Sequence, residues 1–284
     1  MAKKDHRAAT LFTEFESFLA QDDLHHITPL KMLGLFRQHL RVVPIVAGAE
    51  RAFLMLSPRA VSQWDTAKYP SATLVIFPVL TALPSAAMID ACVCAILENA
   101  GAETFVLQSC DLELIAALRA VLSNLSYQRA LLTFISNDES GAGFVNPPHV
   151  TATVQVTRHI PPEALALLAA HDVYSASELE TMFADDSARC LLSFEGNAAD
   201  LHPIAIALSF PNAPTLHEIG SLYVTPYAHR AGRAKALVCT ALANIASRNL
   251  ATRYVVDAIN APSIALAKRC GLREVMRLER WLSA

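Results

Sequence analysis

Apolar and polar positions alternate along this chain in short strand-length runs separated by longer stretches of helical spacing. In the second half, runs at 190–194, 203–210 and 218–224 have the length and composition of strands, and a helical pattern covers about 231–249. A strand at 254–258, a helix at 262–270 and a final strand from Glu274 follow, with a short helical region at 161–184 ahead of them. Antiparallel strands thus give way to strand-helix-strand crossovers, the order of an α/β (α+β) domain. In the first half, 24–40 reads as a leading helical region, and 53–56 and 73–77 as strands. The stretch 71–97 has Asp90 as its one charged residue, but Pro78 and Pro84 interrupt it, so a strand, a turn and a core helix are expected rather than a membrane span.

The halves repeat. An ungapped alignment with an offset of 149 residues lays 102–107 on 251–256, Asp111 on Asn260, Ile115 on Ile264, Ala116 on Ala265 and Ile96 on Ile245. A repeat of this size implies two related domains in tandem. The small, polar segment 136–143, followed by Pro147 and Pro148, reads as the join, giving a domain at 1–140, a linker at 141–150 and a domain at 151–284.

Candidate chemistry concentrates in 224–237, where a strand breaks at Pro226 into a turn of small residues that opens a helix. Glycine at 232 and alanine at 234 let backbone approach a ligand, the first-turn N–H groups point at an anion, and Arg230, Arg233 and Lys235 add positive charge. The spacing lacks the Gly-Lys-Ser/Thr ending of a Walker loop and the three glycines of a dinucleotide fingerprint.

His229-Arg230-Ala231-Gly232-Arg233-Ala234 resembles the pyrophosphate loop of the GCN5-related N-acetyltransferases, Gln/Arg-x-x-Gly-x-Gly/Ala, with histidine at the first position. Asn260-Ala-Pro-Ser263-Ile-Ala-Leu266-Ala267-Lys-Arg269-Cys-Gly271-Leu272 resembles the family's Asn-x-x-Ala-x-x-Leu-Tyr-x-Lys-x-Gly-Phe segment. The resemblance implies two tandem domains of that fold, each a mixed, mostly antiparallel sheet flanked by helices, similar to glycine N-acyltransferase-like members. The N-terminal copy is expected to be degenerate, because Leu83 and Ser85 fall on Gly232 and Ala234 and no basic side chain stands there.

The same resemblance implies a cytoplasmic acyltransferase that uses acetyl-CoA, or another acyl-CoA, and passes the acyl group directly to the amine of a small molecule or amino acid. It sets the diphosphate on 229–235 and has Asn260 bond coenzyme A or the strand backbone. The pantetheine arm would run along 218–224, bonding Leu222, Tyr223 and Val224, with the Leu222 N–H as oxyanion donor. Glu218 is expected to take the ammonium proton, directly or through water, while His217 faces the other way by strand alternation. The family's acid tyrosine is replaced by Ala267, so Tyr223, Tyr227, Ser263 or water serves, or the thiolate leaves unassisted. The alternative reading is a noncatalytic acyl-CoA-binding regulatory protein.

Composition narrows the partners. An apolar fraction of 53% in 284 residues supports packed cores, and a net charge of −3 without a long basic run argues against nucleic acid. Acidic residues from Glu14 to Asp23 stand where a secretion signal would need an apolar core. The cysteines at 92, 94, 110, 190, 239 and 270 lack zinc-site spacing, and adjacent His25 and His26 cannot share a metal from one helix face, so no metal is expected.

Overall fold

A computed structural model describes residues 2–22, 24–136, 153–169, 174–184, 186–196, 201–213 and 215–283; the expected linker at 141–150 lies outside them. In chain order the elements are α1 (Ala2–Leu19), α2 (Ile27–Phe36), β1 (Arg41–Ala47), β2 (Glu50–Pro58), α3 (Gln63–Lys68), β3 (Leu74–Val79), α4 (Ala86–Ala100), β4 (Phe105–Ser109), α5 (Leu112–Val121) and β5 (Leu125–Ser136). Then come β6 (Val154–Thr157), α6 (Leu165–Ala169), α7 (Ala176–Phe183), β7 (Arg189–Glu195), β8 (His202–Ala213), β9 (Leu216–Val224), α8 (Arg233–Ala246), β10 (Ala251–Asp257), α9 (Ala261–Arg269) and β11 (Leu272–Ser283). The chain divides into two compact units, one of Met1–Ala130 with Arg277–Ala284 and one of Leu131–Met276.

In the first unit β2 pairs antiparallel with β1 and β3, β3 runs parallel to β4, and β4 pairs antiparallel with the end of β11. The apolar run of β3 serves two cores at once through the period of two of a strand. Leu74 and Ile76 pack with α4 and α5, whereas Val75, Phe77 and Val79 pack with Phe15, Leu19 and Met32 of α1 and α2. Each such side chain contributes roughly 1.5–3 kcal/mol when fully buried.

In the second unit β6, β7, β8 and β9 follow one another antiparallel, β9 runs parallel to β10, and β10 pairs antiparallel with 131–135 of β5. The core forms where Leu237, Val238, Ala241, Leu242 and Ile245, one stripe of α8, meet Ile219, Tyr254, Val256 and Ala267. Helices α6 and α7 pack on β8, and α6 also reaches β9. A capping box between Ser175 and Glu178 starts α7.

Both units are thus mixed, mostly antiparallel sheets flanked by helices, the expected fold class. Four elements of each copy correspond: α4 with α8, β4 with β10, α5 with α9, and β5 with β11. The helix N-caps Ser85 and Gly232 are 147 residues apart rather than 149, so the repeat slips by two residues at that turn. The leading region 24–40 yields α2, and the chain turns into β1 beyond it.

Candidate active site

The site is built where β9 ends. Residues 226–228 make one short turn, and the backbone then enters the left-handed region at Arg230 (φ +64°) and again at Gly232 (φ +75°) before α8 begins. Glycine takes that conformation without strain and arginine does not, so only the second position is eased by its residue type. Gly232 is the N-cap of α8 and supplies no side-chain cap, which leaves first-turn N–H groups directed outward from an exposed loop. Successive N–H groups around left-handed residues form an anion-binding concavity, reinforced by the helix dipole.

The loop's cations are held differently. Arg233 Nη1 donates to Ser193 Oγ on β7 at 3.0 Å, which turns this guanidinium toward the sheet. His229 donates from Nε2 to the Val224 carbonyl at 3.0 Å, so it closes the turn with one ring nitrogen. Arg230 is exposed and Lys235 half-buried.

The corresponding helix of the first unit is already capped. The Ser85 hydroxyl accepts from the Met88 N–H at 3.2 Å, and the Ser85 N–H donates to the Glu50 carboxylate at 3.1 Å. Hydrogen bonding from the Ser85 side chain, and after it from the Ser85 N–H, holds the Glu50 carboxyl below its usual range. An anion from the protein itself therefore sits at the end of α4, where α8 offers open donors.

Strand β9 also parts from its parallel neighbour. Registered pairs with β10 run from Leu216↔Ala251 to Ile219↔Tyr254, although β9 continues to Val224 and β10 to Asp257. On the other edge β9 carries a bulge: Leu208 lies opposite Gly220 and Ile206 opposite Tyr223, and Ser221 has φ +49°. Leu222, Tyr223 and Val224, all half-buried, occupy the part of β9 beyond the β10 ladder.

Glu218 precedes this opening and is more enclosed than a strand-end carboxylate. It is 5% exposed, and its Oε2 accepts from Arg253 Nη1 and from Asn212 Nδ2, each at 2.5 Å. Arg253 stands directly beside it in the β9–β10 register, and Asn212 comes from β8. His217 is buried too. Arg248 Nη2 donates to its Nδ1 at 3.3 Å, so the Nε2–H faces Ser187 Oγ, also at 3.3 Å. Next to Glu218, Gly220 leaves room for the Phe210 ring: a Cβ there would meet Phe210 Cε1 at 3.2 Å and Tyr174 Oη at 3.5 Å.

In α9, Asn260 is the N-cap and its Oδ1 accepts from the Ser263 N–H at 3.1 Å. Ala267 is fully buried in the core. One turn earlier on the same helix face, Ser263 Oγ lies 2.6 Å from the Tyr254 hydroxyl. Tyr254, the last β10 residue in the ladder with β9, has its pKa raised by burial.

The structure therefore brings the 229–235 loop, the 222–224 strand end and Asn260 onto the elements β9, α8 and α9 of one unit. Arg253, Asn212, Tyr254 and Tyr174 were not foreseen. An arginine inside the apolar run 251–257 was a signal, but its partner depends on a parallel register that spacing does not encode. Among the described residues no group of three or more His, Cys, Asp or Glu side chains could hold a metal ion. No described helix is long and apolar enough to cross a membrane.

Residues 159–272 match the family model described as Acetyltransferase (GNAT) family. A GCN5-related N-acetyltransferase from Kribbella flavida shares the fold with a TM-score of 0.57 at 16% identity, over 91% of this chain and 95% of that one. The GCN5-related N-acetyltransferase from Sphaerobacter thermophilus gives 0.56 at 14% identity, over 81% and 76%. A tandem GNAT protein from the clavulanic acid biosynthesis pathway gives 0.53 at 12%, over 89% and 86%. No curated protein matches the sequence. The matched segment lies within the second unit, and the fold is shared with GCN5-related N-acetyltransferases, a tandem GNAT protein among them.

Proposed function

We propose that the second unit binds an acyl-CoA and transfers its acyl group to the amine of a small molecule or amino acid. The observation that carries this reading is the uncapped N-terminus of α8, entered through left-handed Arg230 and Gly232, at the end of a strand that leaves its parallel neighbour after Ile219. Residues 229–235 hold the diphosphate through backbone N–H groups, with Arg230 and Lys235 supplying charge. Leu222, Tyr223 and Val224 offer strand backbone to the pantetheine arm, and the Leu222 N–H stabilises the oxyanion. Asn260 orders the start of α9 beside them.

The acceptor's proton leaves toward Glu218, whose carboxylate Arg253 and Asn212 hold in one orientation. A second reading, acyl-CoA binding without catalysis, draws on the same burial of Glu218 and on Ala267, which presents no hydroxyl and lies in the core.

Calorimetric titration with acetyl-CoA and a thiol-release assay across a panel of amines test the proposal. Saturable binding with amine-dependent thiol release is expected. Binding without release over the panel favours the second reading, and normal acetyl-CoA affinity in Gly232→Glu refutes both.

A further inference from the structure

Cys239, in the second turn of α8, and Cys270, which caps the end of α9, bring their sulfurs within 3.9 Å of one another. We propose that Cys239 and Cys270 form an oxidant-responsive dithiol, closing to a disulfide that joins α8 to the end of α9. The sulfurs need to approach by about 1.9 Å to reach a disulfide length of about 2.0 Å.

Two of the other cysteines are set apart by burial. Cys92 and Cys190 are buried and their thiols are pushed up to about 12 by desolvation, which keeps them protonated and inert. Cys239 is half-buried and lowered to about 7, chiefly by its hydrogen bond with Cys270 and secondarily by the nearby Lys235. Cys270 moves in the opposite direction, held protonated by the same hydrogen bond. The shared hydrogen bond and the nearby Lys235 favour a single thiolate within the pair, with the second sulfur keeping its proton.

With a hydroperoxide as oxidant, the Cys239 thiolate attacks the distal peroxide oxygen, breaking the O–O bond to give a sulfenic acid and an alkoxide or hydroxide that takes up a proton. Cys270 sulfur then attacks the sulfenic sulfur, and its proton leaves with the hydroxyl as water. Two thiols lose two electrons, and the peroxide is reduced by two. Because both helices begin at the candidate coenzyme A site, at Gly232 and Asn260, the bond would fix their spacing. The inference itself does not depend on acyl transfer.

The test is hydrogen peroxide treatment of the full chain, alkylation in denaturant and digestion without reduction. Two of the six thiols should disappear together, with one dominant linked pair of peptides carrying Cys239 and Cys270. In Cys270→Ser, Cys239 should stop at the sulfenic acid and be trapped by dimedone; in Cys239→Ser the linked pair should vanish. Single-site overoxidation of Cys239 and Cys270 without a linked pair overturns the proposal, as does a dominant link through Cys94 or Cys110.

Discussion

The buried pair Glu218–Arg253 makes the sharpest demand on the second unit. Its side chains are 7% and 4% exposed and their charged atoms 2.5 Å apart. At an effective dielectric of about 20 the gross attraction at this distance is about 7 kcal/mol. Withdrawing two ions from water costs several kcal/mol each, so the pair as a whole contributes little net stability. Removing one partner is different, because the remaining charge keeps its desolvation cost and loses its compensation. Arg253→Met and Glu218→Leu should each cost about 3–5 kcal/mol, whereas the double variant should lie within about 1–2 kcal/mol of the parent.

Hydrogen exchange of peptides spanning 216–224 and 251–257 reads this locally. Tryptophan fluorescence would not, since Trp64 and Trp281 both belong to the first unit. Single variants within about 1 kcal/mol of the parent, or a double variant as unstable as the worse single, would refute the reasoning. The double variant also separates structure from chemistry. If it keeps its stability and its acetyl-CoA affinity yet loses amine-dependent turnover, Glu218 acts in the reaction and not only in the fold.

Four further outcomes follow from described geometry. Gly232→Ala meets no neighbouring atom but forces an L side chain to φ +75°, so urea unfolding should register about 1–2 kcal/mol of destabilisation. Gly220→Ala presses on Phe210, which is 1% exposed, and should cost about 1–3 kcal/mol, a loss that Phe210→Leu partly restores. Asn260→Ala removes the cap of α9 and should cost about 1 kcal/mol by the same measurement. Glu50 titrates lower in the folded chain than in the unfolded one, so its contribution is present above the unfolded pKa and lost as pH falls through the folded value. Glu50→Gln should therefore flatten part of the acid limb of a plot of stability against pH, and an unchanged limb would discount the Ser85–Glu50 bond.

Legibility followed the range of the interactions involved. The strand-helix-strand core of the second half could be read because its signals are local: the stripe 237, 238, 241, 242, 245 of α8, Pro262 in the first turn of α9, and Gly271 at φ +80° beyond its end. The 229–235 loop was legible for the same reason. Strand β5 was not anticipated, since its outward edge mixes Ser126, Tyr127 and Gln128 with apolar neighbours and its pairing partner lies far along the chain. Glu218 was expected at a half-buried strand end; its enclosure depends on Arg253 and Asn212, which a parallel register and a neighbouring strand bring to it. The left-handed backbone of Arg230 had no sequence signal, because arginine is not a residue type that asks for it.

The assignment of Arg277–Ala284 to the first unit bears on how the protein is made. Domains generally fold in the order of synthesis, the N-terminal one first, at about 5–20 residues per second. Here the strand that pairs with 106–109 of β4, and places Trp281 in that unit's core, is translated only after the whole of 131–276. The ribosome therefore delivers the second unit's residues before the first can close its sheet, so the unit begun first is the one finished last.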